Sequence, residues 1–239
     1  MTIEEFAVEL EKIYGDNLKS IVAYGASIND AKKENFRDLN IFCVLTDPSP
    51  VLLVKSNKLV RRWVKKGNNP PHFFGPRHIE TSLDVFPMEF MEIKENHRLL
   101  AGTDPLKNLN VDIKNLRHEC ESELKGKLIH LRTFYAGHCN KPGMIASAMI
   151  DSLPAILAGF RAALRLIGEK PPPDPKSVIE LLAIRTEVNA EVFFDLISAR
   201  EGLGLKPRGD DALLMFERYL KEISLVAEFV DKMDGQDKR

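Results

Sequence analysis

Several things are scarce or missing in this 239-residue chain, and each absence excludes something. It has three cysteines, Cys43, Cys120 and Cys139, an odd number without metal-ligand spacing. They form no disulfide framework and point to a reducing, cytoplasmic setting. Charge of one sign is missing too: 34 basic residues meet 35 acidic ones for a formal net charge of -1. No global nucleic-acid footprint follows from that balance, and nucleic acid is not expected as a partner. The longest apolar stretch, Met144 to Phe160, contains Asp151 and runs into Arg161 and Arg165. It falls short of the roughly 20 residues a membrane span needs and reads as a buried helix, so no membrane association is expected. The opening Met1-Thr2-Ile3-Glu4-Glu5 is acidic and has neither n-region nor h-region, so a signal peptide is not expected. Glycine-rich dinucleotide fingerprints, a Walker A loop, a serine nucleophile elbow, internal repeats and low-complexity blocks are all missing.

What is present is an ordinary globular composition, 44% hydrophobic and 29% charged, in a length that suits one large domain or two small ones. Residues 1–110 alternate short helices and strands, and 111–239 are helical throughout. Thr2 caps a first helix carrying Phe6, Leu10 and Ile13, stopped at Gly15. Strands are predicted over Leu18 to Tyr24 and Asp38 to Leu45, with a polar, partly helical loop from Ala26 to Arg37 between them. Asp47-Pro48-Ser49-Pro50 turns into a helix over Val51 to Lys66. His72-Phe73-Phe74 reads as a short strand and Thr81 to Phe86 as a helical piece stopped at Pro87. A third strand is predicted over Met88 to Lys94, with His97 to Leu100 extended after it. Four helices are predicted beyond, over Ile113 to Tyr135, Pro142 to Ile167, Ser177 to Arg200 and Asp210 to Met233, with a kink at Pro154 and a frayed tail from Asp234. Long helices with short breaks give an antiparallel four-helix bundle.

The chemistry concentrates around Gly25. An apolar strand, Ile21-Val22-Ala23-Tyr24, ends on Gly25-Ala26-Ser27, and the next strand opens Asp38-Leu39-Asn40 before its apolar run. Residues i and i+2 of a strand share a face, so Asp38 and Asn40 project together beside the glycine turn. Backbone amides of such a turn cradle phosphate, and a carboxylate beside them suits Mg²⁺. Asp and Asn are disfavoured inside strands, so their presence here asks for a reason.

These residues resemble the nucleotidyltransferase superfamily of DNA polymerase β type, which includes the aminoglycoside nucleotidyltransferases. Its pattern is an apolar strand, Gly-Ser, a loop of about a dozen residues, Asp-x-Asp/Glu, and a third carboxylate on a later strand. Ser82 to Lys94, His97 to Gly102 and Cys120 to Leu128 look like a bacterial subgroup of nucleotidyltransferase-domain proteins. The resemblance covers roughly the first 135 residues. It implies an α+β chain: a nucleotidyltransferase fold, with a mixed sheet and flanking helices, followed by the helical bundle. It further implies that Gly25, Ala26 and Ser27 bind nucleotide and that Asp38, Asn40 and Glu89 bind metal and catalyse. Mg²⁺ would be the cofactor and a nucleoside triphosphate the substrate, its nucleoside monophosphate passing to an unidentified hydroxyl acceptor. The chain departs from the pattern twice: Ala26 replaces the serine and Asn40 the second carboxylate. For the third carboxylate, Glu89 and Glu92 fall on opposite faces of the predicted strand; Glu89 matches better, with Glu92 and Asp84 as alternatives.

A catalytically degenerate nucleotide binder, or a partner-binding protein of toxin–antitoxin kind, is the other reading, and a homodimer is compatible with either. Two further features have plainer explanations. Lys55, Lys58, Arg61, Arg62, Lys65 and Lys66 would suit attraction of phosphate or nucleic acid, but in a neutral N-terminal half they read more simply as a solvated helix face. Arg132 and His138 fit loosely the Arg-x(4–6)-His pattern of HEPN ribonucleases, but a histidine at a helix end also suits the helix dipole.

Overall fold

A computed structural model describes residues 1–25, 40–204 and 207–233. The loop predicted over 26–37, with Ala26 and Ser27, and Asp38 and the charged tail lie outside the described residues. The chain divides into two compact units, Met1–Asp112 and Ile113–Arg239.

The first unit is built on a four-stranded mixed sheet of order β3-β2-β1-β4. The strands are β1 (Leu18–Tyr24), β2 (Asn40–Leu45), β3 (His72–Phe74) and β4 (His97–Gly102). β1 pairs antiparallel with both β2 and β4, and β3 joins β2 in parallel. Both faces of the sheet are covered, which is why β2 reads as an unbroken apolar run. On one face Ile21, Ala23, Ile41, Cys43 and Leu45 pack under Phe6 and Leu10 of α1 (Ile3–Tyr14) and Trp63. On the other, Val22, Phe42 and Val44 pack against Ile79, Phe90, Ile93, Leu106 and Val111. α1 has the expected start, since the Thr2 hydroxyl accepts from the Glu5 N–H while the Glu5 carboxylate accepts from the Thr2 N–H.

Three sequence expectations in this unit are corrected. The helix predicted over Val51 to Lys66 is broken into α2 (Pro50–Leu53), a 3₁₀ turn (Val54–Ser56) and α3 (Asn57–Val64). The break sits at buried Ser56, whose hydroxyl donates to the Leu53 carbonyl and accepts from Tyr14 Oη at 2.8 Å. Thr81 to Phe86 forms turns; the helix there is α4 (Pro76–Glu80), one segment earlier. Most consequential, Met88 to Lys94 is not a strand. Pro87 opens α5 (Pro87–Glu95) as its first residue instead of stopping an element. At that position the missing N–H costs nothing. Phe90 and Ile93, three apart, meet the sheet, as only a helix allows. The strand that follows, β4, supplies the third antiparallel member.

The second unit contains α6 (Ile113–His138), α7 (Pro142–Leu166), α8 (Pro175–Arg185), α9 (Glu191–Arg200) and α10 (Gly209–Lys232). α7 packs against the other four. It alone among the described helices is long and apolar enough to cross a membrane by length and composition. Here its buried side chains, Met149, Leu153, Ile156 and Phe160 among them, form the centre of the unit. It continues through Pro154, which lies exposed on the outer side. The predicted third helix is two helices. Thr186 leaves α8 in an extended conformation, and buried Glu222 accepts from the Asn189 N–H at 2.8 Å, fixing the turn. Gly159 lets α6 approach closely: a Cβ there would stand 2.7 Å from Leu124 Cδ2.

Two outcomes follow. Gly102 has φ +77, and an added Cβ would lie 2.0 Å from the Lys19 carbonyl oxygen. Gly102→Ala should therefore destabilise the chain by at least about 2 kcal/mol in denaturant unfolding, whereas a neutral change would contradict the pairing of β1 with β4. Burial pushes the Cys120 thiol up to about 12 and the Cys43 thiol higher still, while Cys139 is exposed. Alkylation of the native protein near neutral pH should mark Cys139 alone by mass spectrometry. Equal labelling of all three would contradict this packing.

Candidate functional site

The polar end of the sheet lies where β1 stops at Tyr24. Tyr24 is the register partner of Asn40 on β2 and of His97 on β4. Directly paired residues share a face, so Asn40, Tyr24 and His97 form a row across three strands. This is the face of Val22 and Phe42, the one α5 covers. The Tyr24 ring lies tilted against Phe42, with ring centroids 5.9 Å apart and an interplanar angle of 55°.

Gly25 follows with φ +126, a conformation that L side chains rarely adopt. Its N–H donates to the Asn96 carbonyl at 3.3 Å. Asn96 ends α5, and its side-chain amide donates to Glu92 Oε1 at 3.1 Å. The glycine turn, the end of α5 and Glu92 are thus one hydrogen-bonded unit. The α5 helix also changes how the carboxylates relate. Glu89 and Glu92, expected on opposite faces of a strand, are three residues apart on one side of a helix. Glu89 is exposed, and its charge is felt by Tyr24: burial first, then the Glu89 carboxylate, hold the phenol above its ordinary range. Asp84 is exposed in the turns before α5.

Asn40 is half-buried, and its Oδ1 accepts from Asn69 Nδ2 at 2.9 Å. Asn69 is itself held by its backbone carbonyl, which accepts from the Trp63 indole N–H at 2.9 Å. Of the predicted residues, the structure brings Gly25, Asn40 and Glu89 around Tyr24. Asp38, Ala26 and Ser27 lie outside the described residues. Sequence reasoning missed Tyr24, Asn69, Asn96, His97 and Asp104 as members of the site. His97 bridges the Lys94 carbonyl through Nδ1 at 3.0 Å and Asp104 Oδ2 through Nε2 at 3.3 Å. The available signal was the polar pair Asn96-His97 at the head of a strand. Among the described residues no group of three His, Cys, Asp or Glu side chains is placed to hold a metal ion.

In the second unit, His138 stacks on Phe134 at 4.2 Å and its Nδ1 lies 2.9 Å from the Phe134 carbonyl oxygen. Arg132 is exposed. His138 is thus engaged with its own helix, as the plainer explanation expected.

The Tyr24–Glu89 relation has a direct check. A phenol raised in the folded state favours folding fully below its unfolded pKa of about 10, and that stability is lost as pH climbs through the folded value. In NMR with ring-labelled tyrosine, Tyr24 should titrate above the unfolded value, and Glu89→Gln should bring its midpoint down. An unmoved midpoint would separate Glu89 from this end of the sheet.

No protein-family model and no curated protein matches the chain. Solved structures do. Spectinomycin adenyltransferase AAD(9) from Enterococcus faecialis, solved with ATP and spectinomycin, aligns with 92% of this chain and 97% of its own, at 12% identity and a TM-score of 0.56. A nucleotidyltransferase-like protein from Exiguobacterium sibiricum aligns with 99% of this chain and 81% of its own at 11% identity. Its TM-score of 0.39 is too low to carry weight. With the mixed sheet, the glycine turn at the end of β1 and the helical second unit, the chain has the nucleotidyltransferase fold.

Proposed function

We propose that the chain is a Mg²⁺-dependent nucleotidyltransferase that moves a nucleoside monophosphate from a nucleoside triphosphate to a hydroxyl acceptor. The observation that carries this reading is the convergence of the Gly25 turn, Asn40 and the α5 carboxylates on one polar sheet end. The likeness to an adenyltransferase solved with ATP and an acceptor supports it.

The Gly25 N–H is donated to Asn96, so in this reading the triphosphate falls to the amides of Ala26 and Ser27. Asp38 and Glu89, with Asn40 as auxiliary, would hold the cation. These donors are all oxygen, as a hard cation requires, and Glu89 sits near enough to Tyr24 to perturb it. Bound there, Mg²⁺ would neutralise phosphate charge during displacement at the α-phosphorus. The acceptor hydroxyl gives its proton to Asp38 or Glu89 and its oxygen attacks the α-phosphorus. The bond to the β-phosphate oxygen breaks and pyrophosphate leaves. Tyr24, with its raised pKa, stays a neutral hydrogen-bond donor at physiological pH.

One observation favours a second reading, nucleotide binding without transfer. Asn40 is neutral, and its oxygen is already engaged by Asn69. A single cation tolerates that better than a two-metal pair, which rests on anionic ligands.

A thermal-shift titration with ATP, GTP, CTP and UTP, with and without Mg²⁺, paired with pyrophosphate release, tests both readings. Transfer predicts a Mg²⁺-dependent shift with one nucleotide and turnover that falls about a hundredfold or more in Asp38→Ala. A shift without pyrophosphate release supports the second reading. No shift with any nucleotide at millimolar concentration contradicts both.

A further inference from the structure

The balanced net charge conceals a local segregation. From Pro48 to Ile79 the chain holds no Asp or Glu. Within that stretch Lys55, Lys58, Arg61, Arg62, Lys65 and Lys66 are all exposed, while Leu59 and Trp63 of the same helix are buried against the sheet. Lys58, Arg61 and Arg62 of α3 and Lys65 at its C-cap stand three and four residues apart, so they crowd one face. Like charges at that spacing repel, and local acids would ordinarily offset them. Among the described residues, none of Lys55, Lys58, Arg61, Arg62 and Lys65 has an ion pair or a side-chain hydrogen bond. The helix dipole favours cations in the last turn, which accounts for Arg61 and Arg62 but not for the row. Asn57 and the cations from Lys58 to Lys66 line an open groove of about 490 Å³.

We propose that this face of α3 binds the phosphate backbone of a nucleic acid, without base specificity. The row from Lys58 to Lys65 spans about 10 Å at 1.5 Å per residue, the length of about three phosphates along one strand. Charge complementarity chooses the occupant class, and the absence of bulky apolar anchors narrows it. A protein partner needs an apolar centre inside a charged rim. A membrane surface needs large apolar side chains beside the cations. Here the large ones, Leu59 and Trp63, point into the core, and the exposed neighbours are only the valines at 51, 54 and 64. Phosphates need cations alone. The inference is independent of the nucleotidyl-transfer reading, because no residue of the Gly25 site takes part in it.

The test is fluorescence anisotropy with a labelled single-stranded RNA and a labelled duplex DNA, each about 20 nucleotides long, between about 50 and 200 mM salt. Wild-type affinity should fall with salt along a log–log slope of about -2 to -4. The combined variant Lys58→Ala, Arg61→Ala, Arg62→Ala and Lys65→Ala should bind at least about tenfold more weakly at low salt, with an unchanged Tm and a shallower slope. The charge-preserving pair Arg61→Lys and Arg62→Lys should retain most of the binding. The proposal is overturned if wild type binds neither probe at about 50 mM salt, if the combined variant binds as wild type does, or if wild type binds only phosphatidylserine vesicles. Nucleotide-induced thermal shifts should be the same in both proteins, so failure here and failure of the transfer reading are separable.

Discussion

One contact between backbone groups ties together the polar end of the first unit: the Gly25 N–H donates to the Asn96 carbonyl at 3.3 Å. It fastens the end of the central strand to the end of the helix that covers the sheet. Gly25 supplies the positive φ that lets the chain turn there. Asn96 supplies the carbonyl and, through its amide, holds Glu92. β4 then starts at once beside Tyr24. With this junction in place, the row of Asn40, Tyr24 and His97 is a consequence of antiparallel register and needs no further device.

The same junction limits the chemistry. A glycine N–H spent on Asn96 is not available to a phosphate, and an Asn40 oxygen turned to Asn69 is only partly available to a cation. Both groups are fixed by neighbours of the same unit, so these two members of the sheet end are held in place by the fold itself. Such fixing aids whatever it is shaped for and penalises what it is not. In the proposed reading, transfer requires Asp38 and Glu89 to supply the negative charge that a neutral Asn40 does not.

How much of this was legible in the sequence varies by element. α1 could be read from Thr2 and its apolar period, β1 and β2 from apolar runs beside Gly25, and β3 from His72-Phe73-Phe74. α5 could not. Pro87-Met-Glu-Phe-Met-Glu-Ile alternates well enough to pass for a strand, and proline is ambiguous, since it stops one element and starts another. Only the burial of Phe90 and Ile93 on the same sheet decides for a helix. The error carried into the site, where Glu89 and Glu92 were placed on opposite faces. The breaks at Ser56 and Thr186 were hidden for another reason. Each is fixed by a distant partner, Tyr14 in the first case and Glu222 near the second, and local propensity holds no record of such partners. That Gly25 and Asn40 lie at one end of the sheet was legible from their spacing. His97 and Asp104 were not, because their place depends on the β1–β4 register.

The central claim, that a nucleotide is held at the β1 end, is tested most directly by mapping backbone amide chemical shifts on adding a non-hydrolysable nucleoside triphosphate with Mg²⁺. The account predicts perturbations concentrated at Tyr24 to Ser27, Asp38 to Asn40, and Glu89 to His97. Perturbations confined to the second unit, or none at millimolar nucleotide, would contradict it.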